Sequence, residues 1–580
     1  MGVALNIERS VSGQPWRRRG AGEDGLDSLV DEILLARGVA RDDLARNRDP
    51  RIRDFLPDPS AFRDMDRGAE RIADAVDAGE TIAIFGDYDV DGATSAALLA
   101  LLLRQLGAEP IVYIPDRLME GYGPSGAALV ELKKRGASLA VTVDCGAQAF
   151  DALEEAKAAG LDVIVVDHHQ CGTLLPVAYA MINPNRLDEG EIGAAHGHLA
   201  AVGMAFLLGV ALLRELRRRG FFETREEPNI LDLLDLVALG TVADVAKLQG
   251  LNRAFVTKGL KVMAARQNVG LTALAEAARL VKTPSCRDLG FALGPRINAG
   301  GRVGKSDLGV RLLTSTDPEE ARTIAAELDR LNEERRAIEM IVCEQAAEQA
   351  AKLDAPVITV MSSGWHQGVI GIVAGRLKER FGRPAIVIAE DEDGTGKGSG
   401  RSISGVDLGA AVLAAKDSGL LSAGGGHAMA AGLTLPGGGL DAFRDFINAR
   451  LAADVERSRG GRALLIDSVL APGGIVGSLC DSLEEAGPYG AGWPSPKIVA
   501  GPARLLRTGI VGDGHVRGLA CGDDGKSFKW IAFRSAATDL GQALLASPAD
   551  RRWWLAGSIK RDEWNGGNAA EMHLEDAALA

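Results

Sequence analysis

The stretch Thr81-Ile-Ala-Ile-Phe85-Gly86-Asp87-Tyr88-Asp89-Val90-Asp91-Gly92 decides how the chain is read. An apolar run, Thr81–Phe85, breaks into a loop with three alternating aspartates, and an apolar helical pattern, Thr94–Leu106, follows. Carboxylates packed this closely repel one another, and a divalent cation is the usual reason for a stable protein to collect them. A solvated Asp/Gly turn is the alternative if the stretch stands alone. The partners supplied by the rest of the chain decide between the two.

From about residue 65 to 250, helical patterns alternate with short apolar runs: Thr81–Phe85, Ile111–Ile114, Leu139–Val143 and Leu161–Val166. Short strands buried on both faces and separated by helices predict a parallel α/β sheet. Three of the runs end in Asp87-x-Asp89-x-Asp91, Asp144-Cys145-Gly146 and Asp167-His168-His169. A parallel sheet presents the carboxyl ends of its strands on one edge, where ligands bind, so the strand reading alone brings these clusters together. Asp244 closes a further apolar segment, Leu236–Ala243. Asp89, Asp91, Asp144, His168 and Asp244 then form an oxygen-rich site with imidazole, which suits Mn²⁺ or Mg²⁺ better than a thiolate-seeking metal. So many carboxylates exceed the needs of one ion. Two ions sharing a bridging aspartate, able to activate water and stabilise the leaving oxygen of a phosphoryl centre, are expected.

The 580 residues exceed one core, and the patterns divide them into five parts. These are an N-terminal extension (1–45) expected to pack on the first domain, a parallel-sheet catalytic domain (46–270), and a helical connector (271–354). A smaller α/β domain (355–455) and a β-barrel (456–580) follow. Asp317-Pro318-Glu319-Glu320 reads as the capped start of a long helix that bridges two domains. Leu199–Leu213 is apolar but shorter than the roughly 20 residues of a membrane span, so a buried helix is expected. No signal core opens the chain, and six scattered cysteines without a C-x-x-C pair fit a reducing, cytoplasmic setting. The net charge of −14 lends no bulk support to nucleic-acid binding, which depends instead on a local basic groove. Ala299–Ser306 fits a loose P-loop pattern, but Pro295 and Arg296 stand where a true P-loop has a buried strand.

Gly86–Gly92, Asp144–Gly146 and Asp167–His169 resemble the signature motifs of the DHH phosphoesterase superfamily. Within it, the chain is similar to the bacterial single-strand-specific 5′→3′ DNA exonucleases. The similarity runs from about 50 to 570, through Pro115–Gly123, Asn183-Pro-Asn185, Gly294–Arg302, Trp365–Ala374, Gly398–Ser402 and Gly424–Gly432.

This resemblance implies a DHH domain, a DHHA1 domain and a C-terminal OB-fold. It implies Asp89, Asp91, Asp144, His168 and Asp244 as metal ligands, Asp144 as the bridge, and Asp87 as a further ligand, direct or through water. Catalytic roles fall on Asp91, Asp144 and His169, the last against the scissile phosphate. Arg117, Ser399 and Arg401 match the pocket for the 5′ end. Arg296, Asn298, Arg302 and His427 match further substrate contacts, and Tyr122 is placed to stack on a base. Arg504, Arg507, Arg517, Lys526, Lys529, Trp530 and Arg534 offer basic and aromatic material for a strand, although core is the expected place for Trp530.

The implied activity is two-metal release of 5′ mononucleotides from single-stranded DNA in repair and recombination, by a monomer working near single-strand-binding protein and a helicase. Longer members of the family carry a further C-terminal domain, so partner contacts made there are not expected of this chain. A DHH enzyme of short oligonucleotides or cyclic dinucleotides is the nearest rival, and a non-catalytic DNA-binding scaffold is the other.

Overall fold

A computed structural model describes residues 7–20, 28–116, 120–121, 123–459, 463–562 and 569–580. Arg117 and Tyr122 lie outside the described residues.

The catalytic unit is a five-stranded parallel sheet of β1 (Ile82–Gly86), β2 (Ile111–Tyr113), β3 (Leu139–Val143), β4 (Asp162–Val166) and β5 (Ala180–Ile182), in the order β2-β1-β3-β4-β5. β1 and β3 are buried along their whole length, as expected for strands covered on both faces. No strand is expected at β5 from the sequence.

Helix α1 (Val90–Gln105) starts four residues earlier than the apolar pattern suggests, because Asp89 caps it and Asp91 occupies its first turn. α2 (Ala201–Arg218) and α3 (Leu234–Ala243) pack beside it, and both are almost wholly buried. None of the described helices is long and apolar enough to cross a membrane. α4 (Gly294–Val303) contains most of the P-loop look-alike, so that segment is helix and not a phosphate loop after a strand.

α5 (Pro318–Ala351) is the expected bridge. Pro318 sits in its first turn, and Asp317 caps it by accepting from Glu319 N at 2.8 Å. It leads to β6 (Ile358–Ser363), α6 (Gln367–Phe381), β7 (Ala385–Glu390), β8 (Gly396–Arg401), β9 (Ala423–His427) and β10 (Ala430–Leu435). These five strands form a mixed sheet, β9-β10-β8-β7-β6, in which only β6 and β7 are parallel.

The C-terminal unit closes β11 (Ile498–Val511), β12 (His515–Cys521), β13 (Ser527–Ala532), β14 (Arg552–Arg561) and β15 (Ala570–Leu579) into a barrel, with β11 paired to β14 and β13 parallel to β15. Trp530 is fully buried inside it.

The N-terminal extension corrects one expectation, because it packs on this barrel and not on the first domain. Trp16–Arg18 pairs with Leu464–Ile466, and Trp16 Nε1 donates to Asp576 Oδ2 at 2.9 Å. The Arg17-Arg18-Arg19 run is consumed by Glu8, Glu32 and Asp467. Buried Arg253 fastens the C-terminal unit to the catalytic unit by donating to the Ala486 carbonyl at 3.0 Å, and it also donates to the Asn47 carbonyl at 3.1 Å.

Candidate metal centre

Each acidic residue reaches the site through a distinct piece of local structure. Asp89 Oδ1 accepts from Asp91 N at 2.9 Å and Gly92 N at 3.1 Å, so one oxygen caps α1. Asp91 is clamped by the N-terminus of α2, whose Ala201 N and Val202 N donate to its two oxygens at 2.7 and 2.9 Å. Gly240 of α3 permits this approach: a Cβ there would stand 2.3 Å from Thr94 Oγ1 and 2.9 Å from Asp91 Oδ1. Asp244 ends α3 as its C-cap. Asp144, at the end of β3, has φ +62°, and Val245, next to Asp244, has φ +61°. Left-handed backbone at two non-glycine residues, one of them β-branched, is strain that collects at functional sites.

These segments bring seven of the expected residues together. Potential ligand atoms lie within 4.8 Å of one another in the sets Asp87/Asp89/Asp144, Asp91/His168/Asp244 and Asp144/His168/His169. His168 Nε2 is buried and makes no hydrogen bond, yet it stands 3.3 Å from Asp144 Oδ1 and 3.9 Å from Asp91 Oδ2. An imidazole nitrogen aimed into carboxylates without a hydrogen bond suits a ligand, and Asp144 and His168 each belong to two sets.

Electrostatics support the same reading. Burial and the charge of Asp89 push Asp91 up to about 7. Burial and the charges of Asp89, Asp91, Asp87 and Asp244 push Asp144 well above the ordinary carboxylate range, and burial with Asp91 and Asp89 does the same to Asp244. So many buried carboxylates are ionised together only with cations among them. Burial and the neighbouring His169 lower His168 to about 4, which leaves a neutral imidazole suited to ligation. Burial also opposes charge on His169, but the hydrogen bond and charge of Asp167 outweigh it and raise His169 to about 9. The same pairing overcomes burial to hold Asp167 at about 2. An oxygen-rich donor set with one neutral imidazole, and left-handed backbone at Asp144 and beside Asp244, fits a pair of hard divalent ions.

Asp167 is a buried residue that sequence reasoning left without a role. Its Oδ1 accepts from His169 Nδ1 at 2.7 Å and from His168 N at 2.7 Å, while Oδ2 accepts from Ala147 N at 3.0 Å. It therefore orients the two histidines. Its position directly before them was the available signal, because a carboxylate commonly orients a histidine at such sites.

The expected substrate contacts fall into two groups. Arg302, Ser399 and Arg401 connect to the metal centre. Gly301 abuts the acidic loop, with a Cβ there 2.8 Å from Tyr88 O, and Arg302 Nη1 donates to Gly368 O of α6 at 2.8 Å. One turn on, a Cβ at Gly371 would lie 3.0 Å from Ser399 Oγ and 3.1 Å from Arg401 Nη2. A continuous run thus leads from the aspartates across the first turns of α6 to β8.

Ser399 and Arg401 stand on an inner strand and not on a turn. Gly398 and Gly400 alternate with them because Leu433, Ile388 and Leu408 fill the space a Cβ would need. His427 is exposed and registers through Ala430 with Arg401. Arg296, in contrast, is held by Asp329 at 2.8 Å and by the Ala292 carbonyl at 2.7 Å, which fastens α4 to α5. Asn298 is half-buried on the same helix.

A parallel sheet edge with this carboxylate–imidazole set, followed by a second domain that meets it through Arg302 and α6, defines a metal-dependent phosphoesterase of the DHH class. Three family models agree: the DHH family N-terminal domain over residues 81–241, the DHHA1 domain over 354–453 and the RecJ OB domain over 466–576. The chain is 40% identical to the single-stranded-DNA-specific exonuclease RecJ of Dickeya dadantii over 86% of its own length and 88% of the relative's. With the same-named protein of Bacillus subtilis the identity is 34%, over 96% of this chain and 68% of the relative. The fold matches crystalline RecJ from Thermus thermophilus in complex with Mn²⁺ at a TM-score of 0.78 and 30% identity, covering 95% of this chain and 75% of that one. A Mg²⁺ complex of the Thermus protein matches at 0.72 and 29%, over 95% and 74%. The chain belongs to the RecJ family.

Proposed function

We propose that this protein is a single-stranded-DNA-specific exonuclease that hydrolyses phosphodiester bonds from the 5′ end and releases 5′ mononucleotides. The observation that supports the proposal is the continuous run from the Asp87–Asp91 loop through Arg302 to Ser399 and Arg401, which joins a carboxylate–imidazole cluster to side chains suited to holding a phosphate.

Asp87, Asp89, Asp91, Asp144, His168 and Asp244 would hold two Mn²⁺ or Mg²⁺ ions, with Asp144 shared. Bound there, such ions make water a nucleophile at neutral pH and stabilise charge on phosphoryl oxygens. His169, kept protonated by Asp167, donates a hydrogen bond to a non-bridging oxygen of the scissile phosphate and stabilises the charge that builds on it. Arg401, steadied by Ser399 Oγ at 3.2 Å, offers its guanidinium fork to the 5′ phosphate. Arg302 binds the backbone between the two sites, and the family motif makes Arg117 a candidate for the 5′ end and Tyr122 a candidate for stacking on a base. The barrel, carrying Arg517 and Lys529 on β12 and β13, takes the downstream strand.

A length and strandedness series with Mn²⁺ tests this reading. Long single strands are digested, the matching blunt duplex is spared, and Asp144→Ala removes the activity. An enzyme that cleaves only dinucleotides, or that treats duplex and single strand alike, would refute it.

A further inference from the structure

Three buried or half-buried asparagines link the backbone segments that carry the metal ligands. Asn183, just beyond β5, is buried; its Nδ2 donates to His169 O at 2.8 Å and its Oδ1 accepts from Asn185 N at 2.8 Å. Asn185 Nδ2 donates to His168 O at 2.6 Å and to Gly197 O at 3.0 Å. Gly197 begins the short approach to α2, whose first amides hold Asp91. Asn252, also buried, then donates to His198 O at 2.7 Å and to Lys247 O at 3.1 Å, three residues beyond Asp244. The histidine loop, the Asp91 clamp and the Asp244 loop are thereby tied in series.

We propose that Asn183, Asn185 and Asn252 are positioning residues of the metal centre, which set His168, Asp91 and Asp244 at their mutual spacing by bridging the backbone carbonyls beside them. The residue type follows from the chemistry. Each bridge must satisfy main-chain acceptors, which requires N–H donors, and Asn185 and Asn252 each use one carboxamide for two carbonyls. Aspartate has no such donors and would add charge to an already repulsive cluster. Lysine or arginine would place a cation beside the site meant for metal ions. Groups that orient ligands in this way typically change metal affinity about 10–100-fold when removed.

The proposal rests on the metal reading of the site, and the experiment separates the two. The full-length protein is titrated with Mn²⁺ by calorimetry, its melting is followed with the metal chelated, and kcat and KM are measured on a single-stranded oligonucleotide. Asn185→Ala removes the bridge directly. Gly197→Ala disturbs it from the other side, because a Cβ there would stand 2.4 Å from Asn185 Oδ1. Both variants are expected to bind Mn²⁺ about 10–100-fold more weakly and to lose kcat, with KM unchanged and the chelated protein melting within a few degrees of wild type. Folded variants with wild-type Mn²⁺ affinity overturn the proposal. So does a loss of folding in both, which would assign the bridges to stability alone. If only Asn185→Ala fails to fold, Gly197→Ala decides by the same criteria. Failure of the wild type itself to bind Mn²⁺ refutes the metal reading instead.

Discussion

Loading the metal-free protein with Mn²⁺ displaces protons from the aspartate cluster, and the structure sets how many. Asp91 has a pKa of about 7 without metal, raised by burial and by Asp89. It is therefore mostly protonated at pH 6 and mostly ionised at pH 8, so Mn²⁺ binding releases more protons from this residue at the lower pH. Asp144 and Asp244, shifted in the same direction, add to the release, and the protons belong to the coupled cluster as a whole. The sign for stability follows. The folded pKa of Asp91 lies above the unfolded value of 3.8, so the metal-free fold carries no penalty from it at pH below about 4. The full penalty, about 4 kcal/mol for roughly three pKa units, is present above about pH 7. Calorimetric titration in buffers of different protonation enthalpy reads the proton count. At pH 6 the observed heat should change with the buffer by more than about half a protonation enthalpy. A buffer-independent heat at pH 6 would refute the claim that buried, mutually repelling carboxylates are the ligands.

Other perturbations reach different parts of the account. Asp167→Asn removes the partner that keeps His169 protonated, so the alkaline limb of kcat should move to lower pH in the variant; superposable pH–rate profiles would contradict this. Gly240→Ala drives a methyl group into Thr94 Oγ1 and toward Asp91, and should destabilise the catalytic unit by about 1–3 kcal/mol, read by urea denaturation. Arg401→Lys replaces a planar fork by a point charge and should raise KM for a 5′-phosphorylated strand more than for its 5′-hydroxyl counterpart, with kcat little altered. Trp16→Phe leaves Asp576 without the indole N–H and should loosen the barrel by about 1–3 kcal/mol, seen as a lower melting transition.

The parts of the fold that sequence exposes are those governed by period and punctuation. Four of the five strands of the catalytic sheet show as short apolar runs, and Asp317-Pro318 marks the start of α5 because capping is a local property. The clustering of Asp87, Asp89, Asp144 and His168 was legible for a topological reason, since parallel strands share one carboxyl edge, whereas Asp244 joins them from the C-terminus of helix α3. What stayed hidden depends on tertiary partners. The extension joins the barrel through Trp16–Asp576 and Arg37–Asp467, pairs more than 400 residues apart that leave no local pattern. β11 reads poorly because Gly501-Pro502 interrupts its alternation, and the bulge between Ala500 and Ala503 absorbs the irregularity. The β8 glycines suggest a turn by composition, and only the side chains of Leu433, Ile388 and Leu408 show that close packing requires them. Arg296 sits in a motif rich in substrate-contact candidates, but its Asp329 partner lies on α5 and appears only in three dimensions.

The most direct measurement of the central claim is the first product released from a uniquely 5′-labelled single strand in the presence of Mn²⁺, compared between wild type and Asp144→Ala. The account predicts that the label leaves first as a 5′ mononucleotide, that the same strand labelled at its 3′ end loses its label last, and that the variant releases nothing. Early loss of the 3′ label, internal fragments as first products, or undiminished release by Asp144→Ala would contradict it.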